Sequence, residues 1–447
     1  MTGGTNSRPA STIELPTRPT SVHTWTVRLA DRSWAGIDRL VGERALWRDL
    51  PYPTAIGWLV TRGLMVAMLL TFESTNINDV LYYAGNMFEI GPATPIAAVL
   101  REYPTPVVGL LALPMLFAVG KIGLYVTAFV VMMLVLDAAY TWVLRRRSGP
   151  TPGAAVTLWL IAGPALGPIA LSRFDLVSGV LVGGAVLVVA TRPRWAGVLI
   201  ALGTAIKLWP VLLIPAVAAP SRARTKALIG TAVTGIIVVS ASLWLGGVDR
   251  LLSPLAYQTD RGLQVESLPA LPLMLVWSVI HQPWSIVFSQ YITNEIRGPA
   301  TGLFIQVATL ATALALLLIA ILWFRSWRRG PQLSAADVGW LMLTITGLFI
   351  VTNKVFSPQY LLWLIPVAVA TISCTPANDL RIRRWTVILI GIAVVTHLVY
   401  PNLYFLVGGE SPFNPIGVLL LALRDVGLVG LTYYAATVCW RSTRAAT

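Results

Sequence analysis

The sequence predicts an all-α, polytopic membrane protein with about 12 transmembrane helices and further amphipathic or re-entrant helices on its outer face. Three observations predict it. Of 447 residues, 56% are hydrophobic and 12% charged, and the mean hydropathy is +0.73; a soluble domain carries roughly 25% charged residues. The apolar runs are continuous, without the alternation of a transmembrane β-barrel strand. Arginines and lysines gather in short clusters between those runs, as cytoplasmic loops do.

Each element follows from run length and charge. Residues 1–51 are polar and Arg-rich and lack the apolar core of a signal peptide, so they are expected to form a cytosolic, partly disordered tail. Within it, Trp34, Ile37, Leu40, Val41 and Leu46, set among Arg39 and Arg44, suit an interfacial amphipathic helix at 34–47. Membrane helices are expected near 54–72, 121–144, 152–171, 176–191, 195–206, 208–220, 227–246, 300–324, 337–352, 358–373, 385–401 and 413–440. Together, residues 52–441 make one membrane domain, and 442–447 a cytosolic tail.

Orientation follows from the positive charges. Arg145 to Arg147, Arg192 with Arg194, Arg222 to Lys226, Arg325 to Arg329, Arg381 to Arg384, and Arg441 with Arg444 all fall on the cytoplasmic side if two conditions hold. The stretch 195–220 must break at Lys207-Leu208-Trp209-Pro210. The apolar stretches 103–120 and 268–281 must lie at the outer face without crossing. Both termini are then cytoplasmic, in a plasma membrane. The formal charge of +14 is explained by these loops, so no nucleic-acid partner is expected. Cys374 and Cys439 are far apart, and His23, His281 and His397 are scattered, so neither a metal site nor a disulfide is expected.

This topology puts the acids, amides and aromatics outside, chiefly in a first loop at 73–103 and a second region at 247–298. Asp79 opens "DVLYY", which ends in Tyr82 and Tyr83. An aspartate there is an ordinary helix cap, yet the loop is long for a connector. Glu102 and Tyr103 precede a rigid Pro-Thr-Pro elbow. Arg173 and Asp175 lie between two apolar runs, where an internal ion pair is the plain account. Lys207 either snorkels or meets a lipid phosphate. Gln264 and Glu266, in a polar run with Arg261, and Ser357, Gln359 and Tyr360, beside Lys354, complete the set. Lys207, Arg261 and Lys354 are three cations on a face that usually has few, which suits an anionic lipid-linked ligand.

The motifs "DVLYY", "EYPTP", "SRFDL", "GTAIKLWPVLLIP", "RGLQVESL" and "VFSPQYLLWLIP" occur in this order. In them the chain resembles glycosyltransferase family 87, the GT-C group of actinobacterial polyprenol-dependent mannosyltransferases, from about residue 53 to 366. The family commonly shows Tyr-Pro-Pro where this chain has Tyr103-Pro104-Thr105-Pro106. The resemblance implies a GT-C fold and inverting transfer, on the exoplasmic face, of mannose from polyprenyl-phosphate-mannose to a glycolipid or glycan hydroxyl. It implies Asp79 as the base. Lys207, Arg261 and Lys354 would then hold the donor phosphate. Tyr82, Tyr83, Glu102, Tyr103, Arg173, Asp175, Gln264, Glu266, Ser357, Gln359 and Tyr360 would contact substrate, with no cofactor. Two alternatives stay open: arabinofuranose from the same kind of carrier, and a flippase or transporter for a lipid-linked sugar.

Overall fold

The computed structural model describes residues 51–147 and 152–442; the expected N-terminal tail, its helix at 34–47 and the extreme C-terminus lie outside the described residues. The chain runs through α1 (Pro51–Thr71), α2 (Asn78–Glu89), α3 (Pro106–Ala112), α4 (Met115–Ala118), α5 (Ile122–Arg147), α6 (Pro152–Leu166), α7 (Ile169–Ser172), α8 (Asp175–Val188), α9 (Pro193–Ile206) and α10 (Ile214–Ala218). It continues through α11 (Ser221–Thr259), α12 (Leu271–Ile280), a hairpin of β1 (Ser285–Phe288) and β2 (Asn294–Arg297), α13 (Thr301–Arg329), α14 (Ala335–Thr352), α15 (Leu361–Ser373), α16 (Arg381–His397), α17 (Phe405–Gly408) and α18 (Asn414–Ser442).

Among the described residues, seven helices are long and apolar enough to cross a membrane, and the other apolar helical stretches run 10–17 residues. The difference has a packing logic. Helices α8 and α9 have 14 residues each, a rise of about 21 Å against a hydrocarbon core of about 30 Å. A helix this short exposes unpaired backbone at its ends, which lipid does not tolerate but surrounding protein does. The short helices accordingly lie inside. Helix α15 is buried from Leu361 to Ile372, and most of α8 is buried. Of the seven long helices, α1, α5, α11 and α13 form the rim, with 11% of the apolar window of α11 and 22% of that of α13 buried, whereas α14, at 61%, lies inside.

Glycine sets the closest approach in this centre. Gly179 and Gly183 stand four apart on α8 and face α15, where a Cβ on Gly179 would lie 2.0 Å from the Leu362 carbonyl oxygen. That carbonyl is the one freed by Pro366, which has no N–H to return to residue 362. The Pro366 carbonyl in turn accepts a hydrogen bond from the Tyr140 hydroxyl at 2.7 Å. This is the small-residue contact by which membrane helices approach one another.

The break expected in 195–220 is present. Lys207 is extended (φ −139°, ψ 137°), and the chain resumes in a 3-10 turn at Trp209–Leu213 before α10. The stretches 103–120 and 268–281 form only short helices. Helix α3 has 7 residues and α12 has 10, rises of about 10 and 15 Å. Two expectations need correction. The helix placed at 227–246 runs on to Thr259, past a kink at Gly247 (φ 70°). The region 247–298 also contains the antiparallel β1–β2 hairpin, so the chain is helical but not wholly so.

The two ends of the bundle differ in chemistry. At one, basic side chains cover aromatic ones: Arg224 lies 3.5 Å from the Trp327 ring and Arg325 lies 4.0 Å from that of Trp440. The ends that carry Asp79, Asp175, Lys207, Arg261 and Lys354 meet at the other. Between them, within the apolar layer, Arg62 of α1 makes a two-pronged pair with Asp137 of α5 at 2.8 and 2.9 Å and donates to the Leu160 carbonyl of α6. Trp58 Nε1 donates to the same carboxylate at 2.6 Å.

Candidate active site

The first loop builds the site from α2. Asp79 lies in the first turn of this helix, where a negative charge is favoured. It makes no capping hydrogen bond, so the ordinary role for such an aspartate is not the one it fills. Its carboxylate pairs instead with Arg173 and keeps about 30% of its surface exposed. The internal Arg173–Asp175 pair expected from sequence is replaced by two others. Arg173 turns to Asp79, and Asp175 pairs with Lys207 at 3.3 Å.

Arg173 is itself fixed from several sides. It donates to the carbonyl oxygens of Asn76 and Ser172 and to the Tyr400 hydroxyl, at 3.3–3.4 Å. Asn76 is tied in turn to Glu73, whose buried carboxylate meets His397 Nε2 at 2.8 Å and Asn402 Nδ2 at 3.4 Å. Gly167, at φ +81°, lets the chain pass beside His397; a Cβ there would lie 2.4 Å from Nε2. Sequence reading missed Glu73, His397 and Tyr400. Their only signal was a polar side chain at the end of an apolar run.

The tyrosines divide. Tyr83 is 1% exposed, in a nest of Tyr103, Phe129 and Phe174 rings 5.3–6.3 Å away, so it serves packing and offers a substrate nothing. Tyr82 donates its hydroxyl to Glu102 at 2.8 Å, which brings Glu102 to α2 as expected. Burial, and next the Glu102 carboxylate, push the Tyr82 hydroxyl above its usual pKa, so it remains a donor. Lys207 sits between the Tyr103 and Phe174 rings, 4.8 Å from each. Asp175 also accepts from Trp363 Nε1 at 2.9 Å, and Trp363 stacks between Tyr360 (3.9 Å) and Trp209 (5.0 Å). The charge of Lys207 is thus already balanced, which sets it apart from the other two cations.

Arg261 and Lys354 form no ion pair with a carboxylate among the described residues. The Arg261 guanidinium donates to Thr293 Oγ1 at 3.4 Å, and its buried Nε has no hydrogen-bond partner. Lys354 donates to the Thr259 carbonyl at 2.9 Å. Burial, and then the neighbouring Arg261 charge, hold the Lys354 ammonium below a lysine's usual pKa. Tyr360 packs against Phe356 of the Lys354 loop at 5.8 Å and stacks on Trp363, the partner of Asp175, so it links the two groups of charges. Ser357 and Gln359 are half-buried beside it.

Gln264 and Glu266, expected to touch substrate, are committed elsewhere. Gln264 Oε1 accepts from the Phe356 N–H, and its own N–H donates to the Lys354 carbonyl, both at 3.1 Å. Glu266 is buried against Arg424 at 2.7 Å. They hold the Lys354 loop in place. Among the described residues no group of three or more His, Cys, Asp or Glu gathers as metal ligands would.

No curated protein and no solved structure matches the chain. The family comparison matches residues 103–358, more than half of the 447 residues. The matched region contains Tyr103, Arg173, Asp175, Lys207, Arg261 and Lys354. Asp79, Tyr82 and Glu102 precede it and join it through the Asp79–Arg173 pair. The chain belongs to glycosyltransferase family 87.

Proposed function

We propose that the protein is an inverting GT-C glycosyltransferase that moves mannose from polyprenyl-phosphate-mannose to a hydroxyl of a glycolipid or glycan on the exoplasmic face of the plasma membrane. The observation that carries this reading is the division of labour among the charged groups. Glu73, Asp175 and Glu266 are buried and paired, whereas Asp79 keeps an open edge. Of the four cations assigned to the site, Arg173 and Lys207 are paired with carboxylates, whereas Arg261 and Lys354 form no such pair among the described residues. The family and the gathering of the basic loops at the opposite end support the same assignment.

In this mechanism Asp79 takes the proton of the acceptor hydroxyl as its oxygen attacks the anomeric carbon. The bond from that carbon to the phosphate oxygen breaks, and polyprenyl phosphate leaves with the electron pair. Arg261 and Lys354 stabilise the charge that develops on the phosphate, and the configuration at carbon inverts. Arg173 holds the carboxylate in line, and Tyr82 holds Glu102.

Incubating membranes with labelled polyprenyl-phosphate-mannose and, separately, polyprenyl-phosphate-arabinofuranose tests the donor. Label should pass to glycolipid from the mannose donor; transfer from the arabinose donor alone, or donor movement across liposomes without transfer, rejects the assignment. Arg261→Glu should raise the donor KM at least tenfold, and an unchanged value would remove Arg261 from the phosphate site.

The lowered pKa of Lys354 gives a pH signature. The ammonium form is needed, so donor affinity should fall as pH rises, and earlier than for an ordinary lysine. Lys354→Arg stays charged and should move this alkaline limb upward. The check is donor KM between about pH 7 and 10; identical limbs in both proteins would mean Lys354 does not meet the phosphate.

A further inference from the structure

We propose that the cavity between the end of α11 and the β1–β2 turn is the acceptor subsite and binds a neutral oligosaccharide of hexoses; this rests on the transferase reading above. The cavity measures about 620 Å³, within the roughly 300–1,000 Å³ of small-molecule sites. Its wall includes Tyr257 and Tyr291, whose rings stand 4.8 Å apart at 83°. Around them are Asp249, Asp260, Gln290 and Arg101.

This is the chemistry of sugar recognition. A hexose ring presents C–H groups on its faces and hydroxyls around its edge. The faces lie on aromatic rings, which give large contact area at small entropic cost. The hydroxyls donate to carboxylates and exchange bonds with an amide, which both donates and accepts. The charge of the cavity separates acceptor from donor. Two carboxylates against one guanidinium repel a phosphate, so the donor phosphate is excluded from a place where a neutral glycan is welcome. Neither Asp249 nor Asp260 makes an ion pair among the described residues, and both are exposed.

The cavity also lies where an acceptor must. Arg101 of the cavity wall is bonded through its carbonyl to Ser253 and adjoins Glu102, which is held by Tyr82, three residues after Asp79. On the other flank, Arg261 lies 5.9 Å from the Tyr291 ring. A glycan seated on the two tyrosines would therefore have the carboxylate that takes its proton on one side and the cations that hold the donor phosphate on the other.

The test is binding without turnover. The full chain in detergent or lipid discs is titrated with mannotriose, followed by saturation-transfer NMR, with no donor present. Wild type should bind. Tyr257→Ala and Asp249→Asn should raise the half-saturating concentration at least tenfold, and Tyr257→Phe, which keeps the ring, should raise it far less. In the transfer assay the first two should raise the acceptor KM and leave the donor KM unchanged. Asp249 is exposed, so its substitution leaves no buried group unpaired, and the test stands even if Tyr257→Ala does not fold. No binding by wild type, or wild-type binding by Asp249→Asn, overturns the subsite. Because the titration needs neither donor nor chemistry, these results are read separately from any failure of the transferase reading.

Discussion

Asp79→Asn is expected to fold, to bind donor, and to lose a factor of about 10²–10⁴ in transfer rate, the range for removal of a general base. The amide has nearly the shape of the carboxylate and can still accept one hydrogen bond from Arg173, so the loop should stay in place. Arg173 retains its bonds to the Asn76 and Ser172 carbonyls and to Tyr400. What disappears is the capacity to take a proton. Glu102 is the rival base, since it is also only half-buried. It is occupied by the Tyr82 hydroxyl, so Glu102→Gln should cost much less. The measurement is the single-turnover rate at saturating donor in the two variants. Equal losses, or a larger loss for Glu102→Gln, would move the base from Asp79 to Glu102.

The legible parts of this protein are those governed by one-dimensional rules. Apolar run length located most of the helices, though neither the full extent of α11 nor which are long enough to span, and the basic clusters required the break at Lys207 before the structure displayed it. A midplane lysine without a break is too costly to keep. Pairing is not one-dimensional. Arg173 has Asp175 two residues away, yet it pairs with Asp79, 94 positions earlier, because Asp175 at the start of α8 turns inward to Lys207 and Trp363. No local pattern encodes that choice. The β1–β2 hairpin escaped for another reason. Its strands are four residues each and its turn, Ser289 to Thr293, lacks the Asn-Gly or Asp-Gly that marks tight hairpins. The turn instead places a β-branched residue, Ile292, at φ 56°, a conformation that sequence statistics discourage. That unexpected turn supplies Gln290 and Tyr291 to the proposed glycan cavity. Arg62 and Asp137 were hidden as single charges inside otherwise apolar helices, and Arg424 beside its neighbour Asp425 in another.

Arg424→Leu is expected to destabilise the protein by about 3–5 kcal/mol, the usual cost of removing one member of a buried ionic cluster. Arg424 is completely buried in α18. It donates to the Glu266 carboxylate at 2.7 Å, to the Glu266 carbonyl at 2.5 Å and to Asp425 at 2.9 Å, with its guanidinium 4.1 Å from the Phe356 ring. Leucine fills part of the space but strands two carboxylates away from water. Burial already pushes the Glu266 carboxyl above its usual pKa, with Arg424 the main force holding it down; without Arg424 it should take up a proton. Adding Glu266→Gln and Asp425→Asn should therefore recover part of the lost stability, because the cost of burying unpaired charge is removed. The functional consequence follows from Gln264, two residues before Glu266, which bonds to the backbone of both Lys354 and Phe356. Loosening Glu266 loosens the loop that carries Lys354, one of the two cations proposed to bind the phosphate, so the donor KM should rise even in protein that remains folded. Thermal unfolding of the purified chain measures the first effect and donor titration the second. An unchanged unfolding midpoint in Arg424→Leu would show that the cluster contributes no net stability. An unchanged donor KM would separate the cluster from the Lys354 loop.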